Sequence, residues 1–165
     1  PNFSHQLVKY GLPVFLSSLG VTAFISLDII LVKHFFEEEA AGQYAQLSLM
    51  GRSIFYLVMP ITSVSFPLFA QKKERKERLH GTLLLSVFLV GLPCIILSTI
   101  YFIFPHLVMK IFFPIQNTAM LAPYLGPFSI FILIFSFCWL LNNFYLSIGK
   151  TKVFLLTIIG CVSNL

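Results

Sequence analysis

The sequence predicts an all-α protein, a polytopic bundle of transmembrane helices with four full spans and a truncated fifth. Three observations predict it. Of 165 residues, 58% are apolar and only 10% charged, whereas a soluble domain carries about 25% charged residues. The chain holds 19 phenylalanines and has a mean hydropathy of +0.91. No compact soluble fold of this size has interior enough to hide that apolar surface. Finally, apolar runs of spanning length alternate with short charged connections.

A helix needs about 20 mostly apolar residues to cross the hydrocarbon core. Tyr10 to Val32 supplies 23, with one charge, Asp28. Pro13 sits near its start, where a missing N–H costs little. Ala40 to Gln71 supplies 32, with one charge, Arg52. Gly81 to Phe104 supplies 24 with no charge. Ile111 to Gly149 is 39 uncharged residues, too long for one span. The polar break 114–118 reads as a short external or re-entrant turn, with the helix following it. Val153 to Leu165, at 13 residues, is too short to cross and reads as a truncated helix. The expected spans are therefore 10–32, 42–70, 81–104, 119–148 and the partial 153–165, all in one transmembrane domain over 1–165. Pro1 in place of Met, and the apolar run stopping at Leu165, read as cut ends of a longer protein. The first residues carry no small-residue cleavage site and are not a signal peptide.

Charge sets the expected orientation. If the spans alternate, Lys9, Lys72, Lys73, Arg75, Lys76, Arg78, Lys150 and Lys152 fall on one side. Only Lys33 and Lys110 fall on the other, beside Glu37, Glu38 and Glu39. Cytoplasmic loops are the ones enriched in Lys and Arg. The 71–80 and 149–152 loops are thus expected inside the cell, and 33–40 and 105–118 outside. The net charge of +5 reads as a membrane-surface charge, not a nucleic-acid footprint. Partners expected on these grounds are membrane lipids, and no nucleic acid.

Several spans carry helix breakers: Pro60 and Pro67, Gly91 and Pro93, Pro123 and Pro127. Such breaks are tolerated where neighbours or a watery cavity satisfy the freed carbonyls. They fit a cavity-forming bundle that moves, or the ordinary abundance of proline in membrane helices.

Arg52 is the strongest single signal. It lies about ten residues into the second span, roughly 15 Å along the helix. A buried arginine costs about 2.5–3.5 kcal/mol on insertion scales, so it is expected to face a partner or water. Ala45, Ser48, Arg52, Tyr56 and Ser63 share one expected polar face; Leu47, Met50, Ile54, Leu57 and Ile61 share the other. Asp28, near the outer end of the first span, is the natural partner across a short loop. The candidate cavity-lining residues are Arg52, Tyr56, Ser48, Asp28 and Asn142. Asn142 and Asn143 also suit interhelical hydrogen bonds.

The rest is chemically quiet. His34 with Glu37–Glu39 has loose metal spacing; the acids read better as complementing the next helix's dipole. Lys72–Arg78 reads as a topology determinant or a lipid-headgroup contact. Cys94, Cys138 and Cys161 lie in apolar stretches and read as packing residues. The histidines His5, His34, His80 and His106 sit at span ends, and no Gly-rich phosphate loop or GxSxG occurs. No enzyme activity, cofactor or metal site is expected.

Four segments carry a family resemblance: KYGLPVFLSSLG (9–20), DIILVKHFF (28–36), AAGQYAQLSLMGRSIFYLVMPITSVSFPLFA (40–70) and NNFYLSIGKTK (142–152). They resemble the second half of the polysaccharide-flippase branch of the multidrug/oligosaccharidyl-lipid/polysaccharide exporters, the MATE-like fold. The resemblance implies two pseudo-symmetric halves, alternating access around a central cavity, and a missing remainder of the same transporter. It implies transport of a polyprenyl-linked oligosaccharide across the cytoplasmic membrane for cell-surface polysaccharide synthesis. In some members cationic residues meet the lipid diphosphate. Arg52 sits on a helix suited to this, without a residue-for-residue match. The alternatives are a multidrug/cation antiporter of the same fold and a non-transporting membrane scaffold.

Overall fold

The computed structural model describes residues 3–113 and 121–149. Five helices run in order: α1 (Phe3–Phe35), α2 (Glu38–Glu74), α3 (His80–Ile103), α4 (Pro105–Phe112) and α5 (Ala122–Ser147). Four of them, α1, α2, α3 and α5, are long and apolar enough to cross a membrane. The expected truncated helix at 153–165 and the 114–118 turn lie outside the described residues.

α1 and α2 outrun their expected spans because a helix does not stop where its apolar stretch does, while α3 and α5 keep close to the expected 81–104 and 119–148. At 37 residues, α2 is roughly 55 Å long. It therefore overshoots a hydrocarbon core of about 30 Å at both ends. Its first turn carries Glu38 and Glu39, and its last carries Lys72 and Lys73. Both charges complement the helix dipole. α4 was expected as part of a 105–118 connection. It forms because Pro105 occupies the first turn, where its missing N–H costs nothing. Val108 and Met109 then turn inward against α3 and α5.

Two turns show how the helices stop. Lys76, in the left-handed region at φ 54°, follows the end of α2. Its N–H donates to the Lys73 carbonyl, and the Glu77 N–H donates to that of Lys72. This is a Schellman motif that satisfies two otherwise orphaned carbonyls. Just past the end of α5 and its cap Ile148, Gly149 is also left-handed at φ 76°.

Paired contacts fix the topology. Ser53 meets Tyr101 at 2.8 Å and Ser65 meets Ser86 at 2.9 Å, so α2 and α3 are antiparallel. Phe55 meets Phe135 and Phe69 meets Phe144, with ring centroids 5.3 and 5.0 Å apart. α2 and α5 are therefore parallel. The Lys73 ammonium donates to the Ile148 carbonyl at their shared end. That end holds the basic turn; the opposite end holds Glu37–Glu39.

Close approach in this trio depends on glycine. A Cβ at Gly51 of α2 would lie 2.1 Å from the Phe128 ring of α5. One at Gly126 of α5 would lie 2.7 Å from the Phe102 ring of α3. With lipid outside, helices associate by such packing and by hydrogen bonds between them. Val58, Val90, Cys94, Leu125 and Leu140 fill the space between. Hydroxyls inside the bundle mostly bond back to their own helix, as Thr62 does to Val58 and Ser136 to Ile132. α1 is different. It packs mainly on α2, and among its described side chains only Val21 is buried. Leu12, Phe15, Leu19 and Ile30 face outward, as residues in contact with lipid do.

An ion pair between the first two helices

Asp28 of α1 and Arg52 of α2 meet inside the apolar span. The Arg52 Nη2 lies 2.5 Å from both carboxylate oxygens of Asp28. The Arg52 side chain is 9% exposed and that of Asp28 26%. The Tyr44 hydroxyl donates to Asp28 Oδ2 at 2.8 Å, and the Ile29 N–H donates to Oδ1 at 2.8 Å. The carboxylate is thus held by three donors from two helices. Among the described residues it forms the only ion pair.

Helix geometry explains the meeting. Arg52 is roughly 21 Å along α2 from Glu38, while Asp28 is only about 10 Å back from the end of α1. Side chains on a helix lean toward its N-terminus. α1 and α2 are antiparallel, so Asp28 leans toward the basic end and Arg52 toward the acidic end. The two close the gap between their levels. Desolvating either charge alone would be expensive, and pairing with further hydrogen bonds offsets that cost.

A small cavity adjoins the pair. It is lined by Asp28, Arg52, Phe55, Phe128, Phe131, Ile132 and Phe135. Its volume is about 20 Å³, room for a water and not for a sugar. The phenylalanine wall comes from α5. Residues 128, 131, 132 and 135 follow the i, i+3, i+4, i+7 spacing of one helix face.

The expected site residues do not all gather here. Asp28 and Arg52 do. Ser48, one turn from Arg52, is fully buried, with a hydroxyl that has no hydrogen-bond partner. Tyr56 does not join them: it is 51% exposed and lines no part of the cavity. Each four-residue step turns the helix by about 40°. The stripe Ser48–Arg52–Tyr56 therefore drifts off the buried face. Ser63 also faces outward, while Met50 and Ile54, expected opposite, are buried. Asn142 is buried too, but lies about 10 Å further along α5 than Phe135, toward the basic end. Tyr44 was not foreseen. Its only signal was a hydroxyl two turns before Arg52, at the level of Asp28. The phenylalanine stripe of α5 was legible as a helical face but carried no polar mark. The described residues hold no group of histidines, cysteines and carboxylates suited to a metal.

A family model described as polysaccharide biosynthesis protein matches residues 2–122. The chain belongs to this polysaccharide biosynthesis protein family. The matched stretch runs through α1, α2, α3 and α4, and so contains Asp28, Tyr44 and Arg52. The α5 wall of the cavity lies wholly beyond it. No curated protein and no solved structure matches the chain. Family and fold together make this a multi-pass membrane protein of polysaccharide biosynthesis.

Proposed function

We propose that the chain is part of a transporter that moves a polyprenyl-linked oligosaccharide across the cytoplasmic membrane by alternating access. The observation that carries this reading is the buried Arg52, paired with Asp28, whose carboxylate also accepts from Tyr44, beside a cavity within the span. A passive anchor has no use for such a costly charge. Membership of the polysaccharide biosynthesis family supports a role in that biosynthesis, and a lipid diphosphate is an anion that a buried guanidinium suits. A second half, related by pseudo-symmetry, would complete the path. The basic turn at 71–80 faces the cytoplasm in this reading. The protein performs no covalent chemistry, and its partners are membrane lipids, the sugar lipid and the rest of the transporter, with no nucleic acid among them. An antiporter is less well supported. It needs a carboxylate free to take up a cation, and the Asp28 carboxylate is already held by three donors.

The test uses the full-length transporter in cells. With the native cysteines replaced by serine, Ile132→Cys places a thiol in the cavity wall while keeping the ion pair. A water-soluble maleimide should label it during turnover, and accumulated sugar lipid should block labelling. An Arg52→Gln variant should abolish surface polysaccharide. A thiol that never labels, together with full polysaccharide from Arg52→Gln, would leave a scaffold as the reading.

A further inference from the structure

The partners of Asp28 divide by helix. Arg52 and Tyr44 belong to α2, which is anchored to α3 and α5 by aromatic packing and interhelical hydrogen bonds. Asp28 belongs to α1, which leans mainly on α2 and, among its described side chains, buries only Val21. The guanidinium and phenol thus form a donor pair on a fixed wall. The carboxylate they hold is carried by the least embedded helix. A carboxylate and a phosphate oxygen present the same acceptor chemistry to such donors.

We propose that Arg52 and Tyr44 form an anion cradle on α2, which Asp28 fills as an internal stand-in, and that a phosphate-bearing ligand displaces Asp28 and so releases α1. The proposal rests on the phosphate-bearing cargo of the preceding reading and adds to it a trigger. A ligand shifts a conformational equilibrium only by its differential affinity for the two states. Here the difference is built in, because the anion binds only where Asp28 has left. The exposed arrangement also matches: a quarter of the Asp28 side chain is open, so an arriving anion can begin to compete before the pair breaks.

The experiment uses the full transporter in phosphatidylcholine nanodiscs, with inorganic pyrophosphate as the probe. Spin labels at Ile30→Cys and Leu49→Cys, both outward-facing positions, report the distance between α1 and α2 with the native cysteines replaced. Pyrophosphate should shift the wild-type distance distribution to longer values. Asp28→Asn should show that shift with no anion present. It should also bind pyrophosphate about tenfold or more tightly, since an internal charge-assisted contact no longer competes. Tyr44→Phe added to Asp28→Asn, where no internal carboxylate competes for the phenol, should bind it more weakly than Asp28→Asn alone. Pyrophosphate that binds, and is lost in Arg52→Gln, while the distance stays fixed would overturn the trigger and leave the cargo reading intact. Absence of binding even to Asp28→Asn would overturn both. Opening caused by phosphatidylglycerol nanodiscs alone would assign the anion to bulk lipid and overturn the link to cargo.

Discussion

The seam between α1 and α2 and the trio of α2, α3 and α5 are held by opposite means. In the trio, rings sit on glycines and short hydroxyl pairs tie neighbouring helices. Contacts of this kind are short-ranged, so a displacement of about 1 Å forfeits much of them. In the seam, one charged cluster carries the specific contact, and of the described α1 side chains only Val21 is buried. An ion pair can be exchanged for another partner of like charge; a ring lodged on a glycine cannot. In the proposal above, the trio stays together and the seam is the part that opens.

The sharpest way to break the comparison is to remove one charge. Asp28→Asn strands the buried Arg52 and should cost about 3 kcal/mol of stability, the lower end for a broken buried pair. The Asp28→Asn/Arg52→Gln double variant should recover part of that loss. Unfolding midpoints in mixed micelles measure both. A double variant as unstable as Asp28→Asn alone would mean that the pair is not the seam's main contact.

Next in size is the trio. Gly51→Val would drive a side chain into the Phe128 ring, and overpacking of this kind costs about 1–3 kcal/mol. Adding Phe128→Ala should return some of it. Phe128 also lines the cavity beside Asp28 and Arg52, so spin labels across α1 and α2 test whether that strain reaches the seam; an unchanged distance is expected where the ring yields toward α5. A seam distance that shifts with Gly51→Val would show that the two regions are coupled after all.

The smaller effects bracket the comparison. Lys76→Gly removes a left-handed penalty at a solvent-exposed turn and should stabilise the chain by about 1 kcal/mol. A lowered midpoint would mean that the lysine side chain contributes more than its backbone costs. Ser65→Ala deletes the bond to Ser86, a contact that averages about 0.6 kcal/mol in membranes. A loss several times larger would move the trio's stability from packing to hydrogen bonding.

How much of this the sequence disclosed depends on the kind of signal. Apolar runs marked the four long helices because lipid punishes charge over a whole span, whatever the neighbours do. Arg52 and Asp28 stood out for the same reason, as lone charges in such runs. The sides of α2 were harder to read. Three other helices pack on it, so burial follows their positions and not the polarity of its own residues. That is why Tyr56 faces outward and Ile54 inward. α4 was hidden because eight residues are too few to register as a span. Tyr44 gains its meaning only from the level at which Asp28 arrives.

The ring-on-glycine contacts have a consequence for how this chain can change over time. Gly51 with Phe128, and Gly126 with Phe102, are each a single shape shared between two helices. Neither half can drift alone without a clash or a void. Substitutions there should accumulate in step, a larger residue replacing glycine only where the facing ring has shrunk. Their pairing would then be written across relatives as correlated changes, readable without any further structure.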